Sequence, residues 1–289
     1  MAIGALTMKS IVVTGASSGI GKACALHLAK LGFEVFAGVR NDSDAVALCA
    51  ETTARITPLH VDVTDPSTIA GAVKTLQDIT EGRGLAGLVN NAGICIPAPL
   101  ECIPLHDLRR QFEVNVIGTV AVIQGFLPLL RQAGGRIVNM GSALGEVAPP
   151  FLGPYSATKF ALEALTDSLR RELLPLGIFV SIVEPGSVVT PIWGKMSRSR
   201  EALLETCPSE AMSLYGKPFI NLMTYNDREA RKRSTTAEHV AEAVARALQS
   251  RRPRARYRVG IDAKLNAYLA TLVPDRWMDR IFTWMSRTA

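Results

Sequence analysis

The chain has 289 residues, of which 48% are hydrophobic and 20% are charged; this excludes a disordered protein and allows one large α/β core. Its formal net charge of +6 comes without a basic patch interleaved with aromatic residues, so nucleic acid is not expected as a partner. The five cysteines and four histidines are scattered, which predicts reduced thiols without a disulfide framework and no metal site.

Strand and helix patterns alternate along most of the chain. Residues 11–13 predict a buried first strand, and the helix after it ends at Gly32. Asp65 and Pro66 predict the start of another helix, as its N-cap and its first residue. The later strands are predicted at residues 35–39, 56–61, 88–90, 136–140, 179–183 and 257–259. This alternation predicts an α/β fold, a doubly wound parallel sheet of about seven strands with helices on both faces, in a single domain over residues 1–289.

The apolar segments do not predict a secreted or membrane-spanning chain. Residues 1–10 carry only Lys9 as a charge and have no long apolar core, so a secretory signal is not expected. The longest apolar stretch, residues 114–130, contains Asn115, Gln124 and Pro128, which predicts a buried helix. The sequence therefore predicts an intracellular, cytoplasmic protein.

Three segments after the sixth strand depart from the simple alternation. Residues 187–234 predict a substrate lid over the carboxyl edge of the sheet, the alternative being a packed surface helix pair. The apolar residues of this segment are Trp193, Met196, Met212, Tyr215, Phe219, Met223 and Tyr225. Around the seventh strand, Arg254, Arg256 and Arg258 predict a solvated charged face on an edge strand. The apolar and aromatic residues 263–289 are expected to dock on their own domain, where they could cover the substrate pocket, the alternatives being another subunit or a membrane surface.

The turn after the first strand is rich in glycine. Residues 14–21 read Thr-Gly-Ala-Ser-Ser-Gly-Ile-Gly, between a predicted strand and a predicted helix. Glycines at such a turn let the backbone approach a pyrophosphate, and the helix N-terminus presents free N–H groups to the anion. The turn predicts a Rossmann-type dinucleotide site.

A tyrosine and a lysine, Tyr155 and Lys159, stand four residues apart at the start of a predicted helix. Side chains at this spacing share one helix face, so the ammonium is expected to lower the pKa of the phenol. A tyrosine with such a pKa serves as a general acid/base for a carbonyl or alcohol oxygen, and the hydroxyl of Ser142 would hold that oxygen. Alone, the pair is a weak signal, because such pairs are common on ordinary helices.

Taken together, these motifs resemble the short-chain dehydrogenase/reductase family. The resemblance runs from Ile11 to Thr190 and includes residues 90–93, Asn-Asn-Ala-Gly, after the fourth strand. It implies a catalytic tetrad of Asn115, Ser142, Tyr155 and Lys159. In that tetrad the tyrosine exchanges the proton, the serine holds the substrate oxygen and the lysine also binds the nicotinamide ribose. The asparagine holds a water that relays protons, the alternative being a structural role at a helix kink.

The resemblance also implies the residues that bind the cofactor. Asp62 would accept from the adenine amino group, the alternative being a turn aspartate at a strand end. Val188 and Thr190 would orient the nicotinamide carboxamide. The full implied set is Gly15, Ser17, Ser18, Gly19, Ile20, Gly21, Arg40, Asp62, Val63, Asn91, Ala92, Gly93, Tyr155, Lys159, Pro185, Gly186, Val188 and Thr190.

The end of the second strand indicates the cofactor. NAD-selective folds usually carry an acidic residue there, whereas this chain has Val39 followed by Arg40. A guanidinium pairs with a 2′-phosphate, and the missing carboxylate removes a repulsion. NADP(H) is therefore favoured, with NAD(H) as the alternative and Arg40 then exposed to solvent.

The lid composition favours a lipophilic substrate. The second half, with Tyr257 to Gly260 followed by Asp262 to Leu265, looks like the branch containing 17β-hydroxysteroid and retinol dehydrogenases. The expected activity is that of a ketoreductase acting on a steroid, a retinoid or a similar ketone or aldehyde, or on the corresponding alcohol. The alternatives are an NAD-dependent alcohol dehydrogenase of the same family, a non-catalytic dinucleotide-binding regulator, and a nucleotide-sugar dehydratase or epimerase. Family precedent implies a homodimer or homotetramer, and a peripheral membrane contact is not favoured.

Overall fold

The computed structural model describes residues 9–52, 55–192, 196, 207–232 and 235–288. Within this part of the chain, seven parallel strands form one sheet in the order β3-β2-β1-β4-β5-β6-β7. The strands are β1 Ser10–Val13, β2 Glu34–Val39, β3 Ile56–His60, β4 Gly87–Asn90, β5 Arg136–Met140, β6 Phe179–Pro185 and β7 Arg256–Val259. Each predicted strand is confirmed to within two residues at either end.

Helices connect these strands and cover the sheet. The described α-helices are α1 Gly19–Lys30, α2 Asp42–Ala50, α3 Pro66–Thr80, α4 Leu105–Phe112, α5 Gly118–Ala133, α6 Gly153–Leu173, α7 Ser209–Lys232, α8 Ala237–Gln249, α9 Ile261–Leu272 and α10 Asp275–Thr288. A π-helical turn, Glu113–Ile117, joins α4 to α5. The predicted start of α3 is confirmed, because the Asp65 carboxylate accepts from the Ser67 N–H at 2.8 Å, beside Pro66.

The sheet has one hydrophobic core on each face. On one face, α1 and α8 bury Cys24, Leu28 and Val244 against the strands. On the other, α3 and α5 bury Leu76 and Phe126. Burial of each such large side chain stabilises the fold by about 1.5–3 kcal/mol. The parallel strands are covered on both faces, which explains their almost unbroken apolar sequences.

The long apolar run lies inside this core. Residues 105–133 form a helical stretch that is long and apolar enough to cross a membrane by length and composition. In the structure, α5 packs Val122, Phe126 and Leu130 into the core beside α3, and each of them is almost fully buried. The helix therefore packs as the buried helix that the sequence predicts.

Two sequence predictions are wrong. Cys102 and Cys207 form a disulfide, with their Cα atoms 5.5 Å apart, although 105 residues separate them along the chain. Pairing at this separation depends on how α7 returns over the loop before α4, which residue spacing does not show. The charged face of β7 is also not simply solvated: Arg256 and Arg258 form ion pairs with Glu184, which is fully buried on β6.

The predicted lid is described in part. Trp193, residues 194–195, residues 197–206 and residues 233–234 lie outside the described residues. The remainder is dominated by the 24-residue helix α7, which buries Phe219, Leu222 and Met223 and packs against α10. The C-terminal helices α9 and α10 dock on their own domain, which is the arrangement that the sequence analysis expected.

Candidate active site

The carboxyl ends of the strands open into one large cavity, about 1240 Å³ in volume. It lies where the strand order reverses, between β1 and β4, the position at which open α/β sheets bind ligands. All the catalytic and cofactor-binding residues predicted from the sequence line this cavity, except Gly21 and Asn115. The structure thus brings the glycine turn, the Tyr–Lys pair and Ser142 to a single site.

The glycine turn forms a tight cradle at one end of this cavity. Gly15 and Gly19 have φ values of +63° and +56°, which residues other than glycine rarely adopt. A Cβ on Gly15 would lie 2.9 Å from the Cα of Ala92, and a Cβ on Gly21 would collide with the carbonyl of Gly15. Asn91 fixes the turn, because its Nδ2 donates to the carbonyls of Thr14 and Gly15 at 3.0 and 3.1 Å. This close approach of bare backbone at the start of α1 fits a dinucleotide phosphate.

Tyr155 and Lys159 share one face of α6 and meet Ser142 from the end of β5. The Nζ of Lys159 lies 5.6 Å from the centre of the Tyr155 ring and donates to the carbonyl of Met140 at 2.7 Å. Ser142 caps a short 3₁₀ turn, with its Oγ accepting from the Leu144 N–H at 3.1 Å, and it is hydrogen-bonded to Tyr155. The three side chains form a polar group on the cavity wall.

The protonation states at this wall differ from the sequence expectation. Burial raises the pKa of Tyr155 well above its usual value and Cys95 adds to the rise, while the hydrogen bond with Ser142 partly offsets it. Burial also lowers the pKa of Lys159 to about 8, against the opposing influence of Cys95 and Glu163. Burial, rather than the lysine charge that was expected to lower it, therefore dominates the pKa of the phenol. The phenol therefore carries its proton at neutral pH.

Asn115 lies in the π-helical turn before α5, a local irregularity common at functional sites. Its Oδ1 accepts from the Ile94 N–H at 2.8 Å, and its Nδ2 donates to the Ile94 carbonyl and to the Thr158 hydroxyl at 2.9 and 3.0 Å. Thr158 in turn donates to the Tyr155 carbonyl at 2.7 Å. The asparagine side chain thus joins the loop after β4 to the first turns of α6.

The adenosine end of the cavity contains Arg40 and Asp62. Arg40 is exposed at the end of β2, and Asp62 follows β3 next to it. The carboxylate of Asp62 accepts from the N–H and hydroxyl of Thr64 at 2.9 and 2.7 Å, so it also forms the strand-end turn named as its alternative. Although partial burial opposes ionisation, these bonds and the Arg40 guanidinium hold the pKa of Asp62 below its usual value.

The opposite end, next to Tyr155, is apolar. Its lining from the lid and its surroundings includes Ile192, Met196, Leu222 and Tyr225. The C-terminal helices add Leu265, Leu269, Met278, Ile281, Phe282 and Met285. The sequence offered a cover over the substrate pocket as one role of this apolar segment, and the structure places these side chains in the cavity lining. Cys95, a buried free thiol, was also missed.

Comparison with known proteins agrees with this geometry. The family model described as short chain dehydrogenase matches residues 9–201. The chain belongs to the short-chain dehydrogenase/reductase family. It is 38% identical to retinol dehydrogenase 5 of Mus musculus, over 95% of this chain and 88% of the relative. It is also 38% identical to a 3-amino-tetrahydro-pyrrolizinone reductase of Xenorhabdus hominickii, over 95% and 96%, and 37% identical to an NADPH-dependent 3-dehydrocapnine reductase of Ornithobacterium rhinotracheale, over 95% and 96%.

Solved structures of family members share the fold. A short-chain dehydrogenase from Streptomyces avermitilis superposes with a TM-score of 0.75 at 27% identity, over 97% of both chains. A Burkholderia cenocepacia enzyme in complex with NADP gives 0.72 at 26% identity, over 95% of this chain and 97% of the other. A Burkholderia phymatum enzyme in complex with NAD gives 0.76 at 25% identity, over 95% of both. The protein is therefore an oxidoreductase of this family, in its retinol dehydrogenase-like branch.

Proposed function

We propose that this oxidoreductase uses NADP(H) to interconvert a lipophilic ketone or aldehyde and its alcohol. The observation that carries the proposal is the polar group of Tyr155, Ser142 and Lys159, set in one wall of a cavity that is apolar on one side and has a glycine cradle on the other. A carbonyl oxygen needs a proton donor and a hydrogen-bonding partner, and its substituents need an apolar environment.

Each side chain has a distinct role in this reaction. A nicotinamide cofactor bound in the cavity supplies or accepts the hydride. Tyr155 keeps its proton at neutral pH because burial raises its pKa, and it donates that proton to the substrate oxygen during reduction. Ser142 orients the same oxygen. Lys159 holds the nicotinamide ribose and returns a proton to Tyr155, while Asn115 fixes the helix that carries both and is proposed to hold the relay water.

The cofactor would be held by the residues of the glycine cradle and the strand ends. NADP(H) is supported by Arg40 beside Asp62 at the adenosine end, since a guanidinium pairs well with a 2′-phosphate. An NADPH-dependent reductase among the relatives supports the same choice. Selection of NADP(H) over NAD(H) is part of the proposal, because related structures contain either cofactor.

The substrate class follows from the apolar end of the cavity. Tyr155 packs against the cluster that contains Leu152, Met196, Phe219 and Met223. A retinoid, a steroid or a lipophilic compound of comparable size would bury its hydrocarbon there, at about 25 cal/mol per Å² of apolar surface. The retinol dehydrogenases among the relatives support a ligand of this type.

The assembly and location of the protein are also proposals. Ile117, Phe160 and Leu165 are exposed on the helices beside Asn115 and Tyr155, and we expect a second copy of the chain to cover them in a dimer or tetramer. Light scattering would measure this state. A cytoplasmic location remains our proposal, although the Cys102–Cys207 disulfide is a bond that such a compartment would reduce. Thiol titration of acid-quenched cells tests it: two reduced thiols at these positions would agree with the proposal, and an oxidised pair would contradict it.

The deciding experiment follows nicotinamide absorbance with NADPH and NADH against retinal, a steroid ketone and a short aliphatic ketone. Wild-type turnover of a lipophilic carbonyl with NADPH is expected, and Tyr155→Phe should reduce kcat by about 10²–10⁴-fold with cofactor affinity retained. Tight NADPH binding without turnover of any carbonyl or alcohol would contradict the proposed activity and favour the regulator. Equal turnover of short and lipophilic ketones would contradict the substrate class.

A further inference from the structure

A cluster of buried and half-buried charges lies directly behind the Tyr–Lys pair. We call it the carboxylate cluster; its members are Glu146, Glu163, Glu184, Arg256 and Arg258. Arg256 Nε lies 3.1 Å from Glu163 and 3.3 Å from Glu184, and Arg258 Nε lies 3.1 Å from Glu184. Arg258 also pairs with Glu146. The cluster joins α6, β6, β7 and the turn after β5.

Glu163 connects this cluster to the reacting groups. It stands one helical turn after Lys159 on α6, so the two side chains are neighbours on one helix face. A Cβ on Gly141 would lie 3.0 Å from Glu163 Oε1, and a Cβ on Gly145 would lie 3.2 Å from its Cγ. Glu163 therefore packs beneath the turn that carries Ser142, close enough that a side chain at Gly141 or Gly145 would require it to shift.

The cluster holds three carboxyl groups and two guanidinium groups, so one carboxyl group is in excess. Burial raises the pKa of Glu184, and the neighbouring Glu163 and Glu146 raise it further. Burial likewise raises the pKa of Glu163, although Arg256 opposes this. Cys95, and after it the negative charge that Glu163 retains, raise the pKa of Lys159 against the effect of burial.

The groups that face the two residues come from every element packed around them. Lys159 faces Cys95 from the loop after β4, and Tyr155 and Glu163 on its own helix. Glu163 faces Lys159 on its own helix, Glu146 from the turn after β5, Glu184 from β6 and Arg256 from β7. Among these, Glu163 is the acidic neighbour on the same helix as Lys159.

We infer that Glu163 is a positioning residue: held by Arg256, it keeps Lys159 protonated and supports the turn that carries Ser142. The inference rests on the proposed function for the role of Lys159. Its first readout is cofactor binding, which does not depend on turnover and therefore separates failure of this inference from failure of the proposed activity.

The test measures the NADPH dissociation constant by fluorescence between about pH 6 and pH 10 for wild type and three variants. NADPH binding should weaken at high pH as Lys159 loses its proton, and we call this decline the basic limb. The Lys159→Met variant identifies it, because the decline should disappear without the ammonium. Glu163→Gln should move the limb down by about one pH unit and weaken NADPH binding at pH 8 by about fivefold. Glu163→Asp keeps the charge and should leave the limb within a few tenths of a unit. With an active substrate, the basic limb of kcat/KM should move with it.

Asp167→Asn is the matched control. Asp167 pairs with Arg256 at 3.1 Å, like Glu163, but stands one turn farther from Lys159, so its limb should stay in place. Glu163→Gln should fold, because Arg256 keeps Asp167 and Glu184 as partners. If it does not, Glu163→Leu, which fills the space with an apolar side chain and leaves Arg256 paired with Asp167 and Glu184, should give the same downward shift. The inference would be overturned if the basic limb of NADPH binding stayed in place in the charge-removing Glu163 variant that folds. It would also be overturned if Asp167→Asn moved the limb as far as that variant does.

Discussion

Reversing the charge of Arg40 provides a sharp test of how this enzyme selects its cofactor. Arg40 is exposed after β2 and lies close enough to Asp62 to help hold the pKa of that carboxyl down. Arg40→Asp would remove the cation expected to meet a 2′-phosphate and would put a second carboxylate beside Asp62. The variant should therefore lose affinity for NADPH and shift its preference to NADH.

The size of the effect follows from the exposure of the site. An exposed ion pair contributes up to about 1 kcal/mol, so loss of the guanidinium alone should raise the KM for NADPH about fivefold. A carboxylate about 5 Å from a phosphate in water adds a repulsion of about 1 kcal/mol. The two effects together, about 2 kcal/mol, correspond to about a thirtyfold loss of kcat/KM with NADPH.

The assay compares kcat/KM for both cofactors in wild type, Arg40→Gln and Arg40→Asp. Arg40→Gln separates the lost attraction from the added repulsion, and kcat/KM with NADH should stay within about twofold in this neutral variant. Added salt should reduce the wild-type preference for NADPH, because the pair is exposed. An unchanged NADPH-to-NADH ratio in Arg40→Asp would refute the reasoning and leave Arg40 as a solvent-exposed side chain.

Three further predictions address other parts of the molecule. Cys207→Ser should cost up to about 4.7 kcal/mol of unfolding free energy, since the disulfide with Cys102 spans 105 residues. Calorimetry with and without reductant measures this loss. Equal melting temperatures for wild type and variant in the absence of reductant would contradict it. Trp277 and Trp284 are about 60% exposed on α10. Because α10 docks on its own domain, we expect no co-sedimentation with phosphatidylcholine–phosphatidylserine vesicles, and wild-type sedimentation that the double Trp→Gln variant loses would contradict this and assign a membrane contact to α10. The pKa of Glu184 is raised by burial to about 8 in the folded protein, above its unfolded value of about 4.3. The folded state therefore binds one more proton than the unfolded state between these pKa values, and the free energy of unfolding falls as the pH rises from about 4.3 to about 8. Glu184→Gln should flatten that fall in denaturant titrations, and an identical slope would contradict the assignment.

Much of the fold and part of the site could be predicted because the signals are local. Strand positions follow from short apolar runs, which must lie in a sheet covered on both faces. The glycine turn is fixed by backbone geometry: Gly15 and Gly19 adopt positive φ values that other residues rarely reach. The four-residue spacing of Tyr155 and Lys159 puts both on one helix face regardless of what surrounds the helix.

The features that the sequence left undecided depend on contacts between distant segments. Cys102 meets Cys207, and Arg256 meets Glu163, only after the sheet and α7 are in place. The protonation of Tyr155 also belongs to the tertiary structure, because desolvation depends on everything packed around the phenol, and here it dominates the pKa of that group. The sequence by itself determined the backbone cradle and the positions of the strands along the chain, since both follow from local geometry. Only the tertiary structure decided the charge environment of the Tyr–Lys pair and the apolar walls of the cavity, since burial and electrostatic interaction depend on distance in space rather than along the chain.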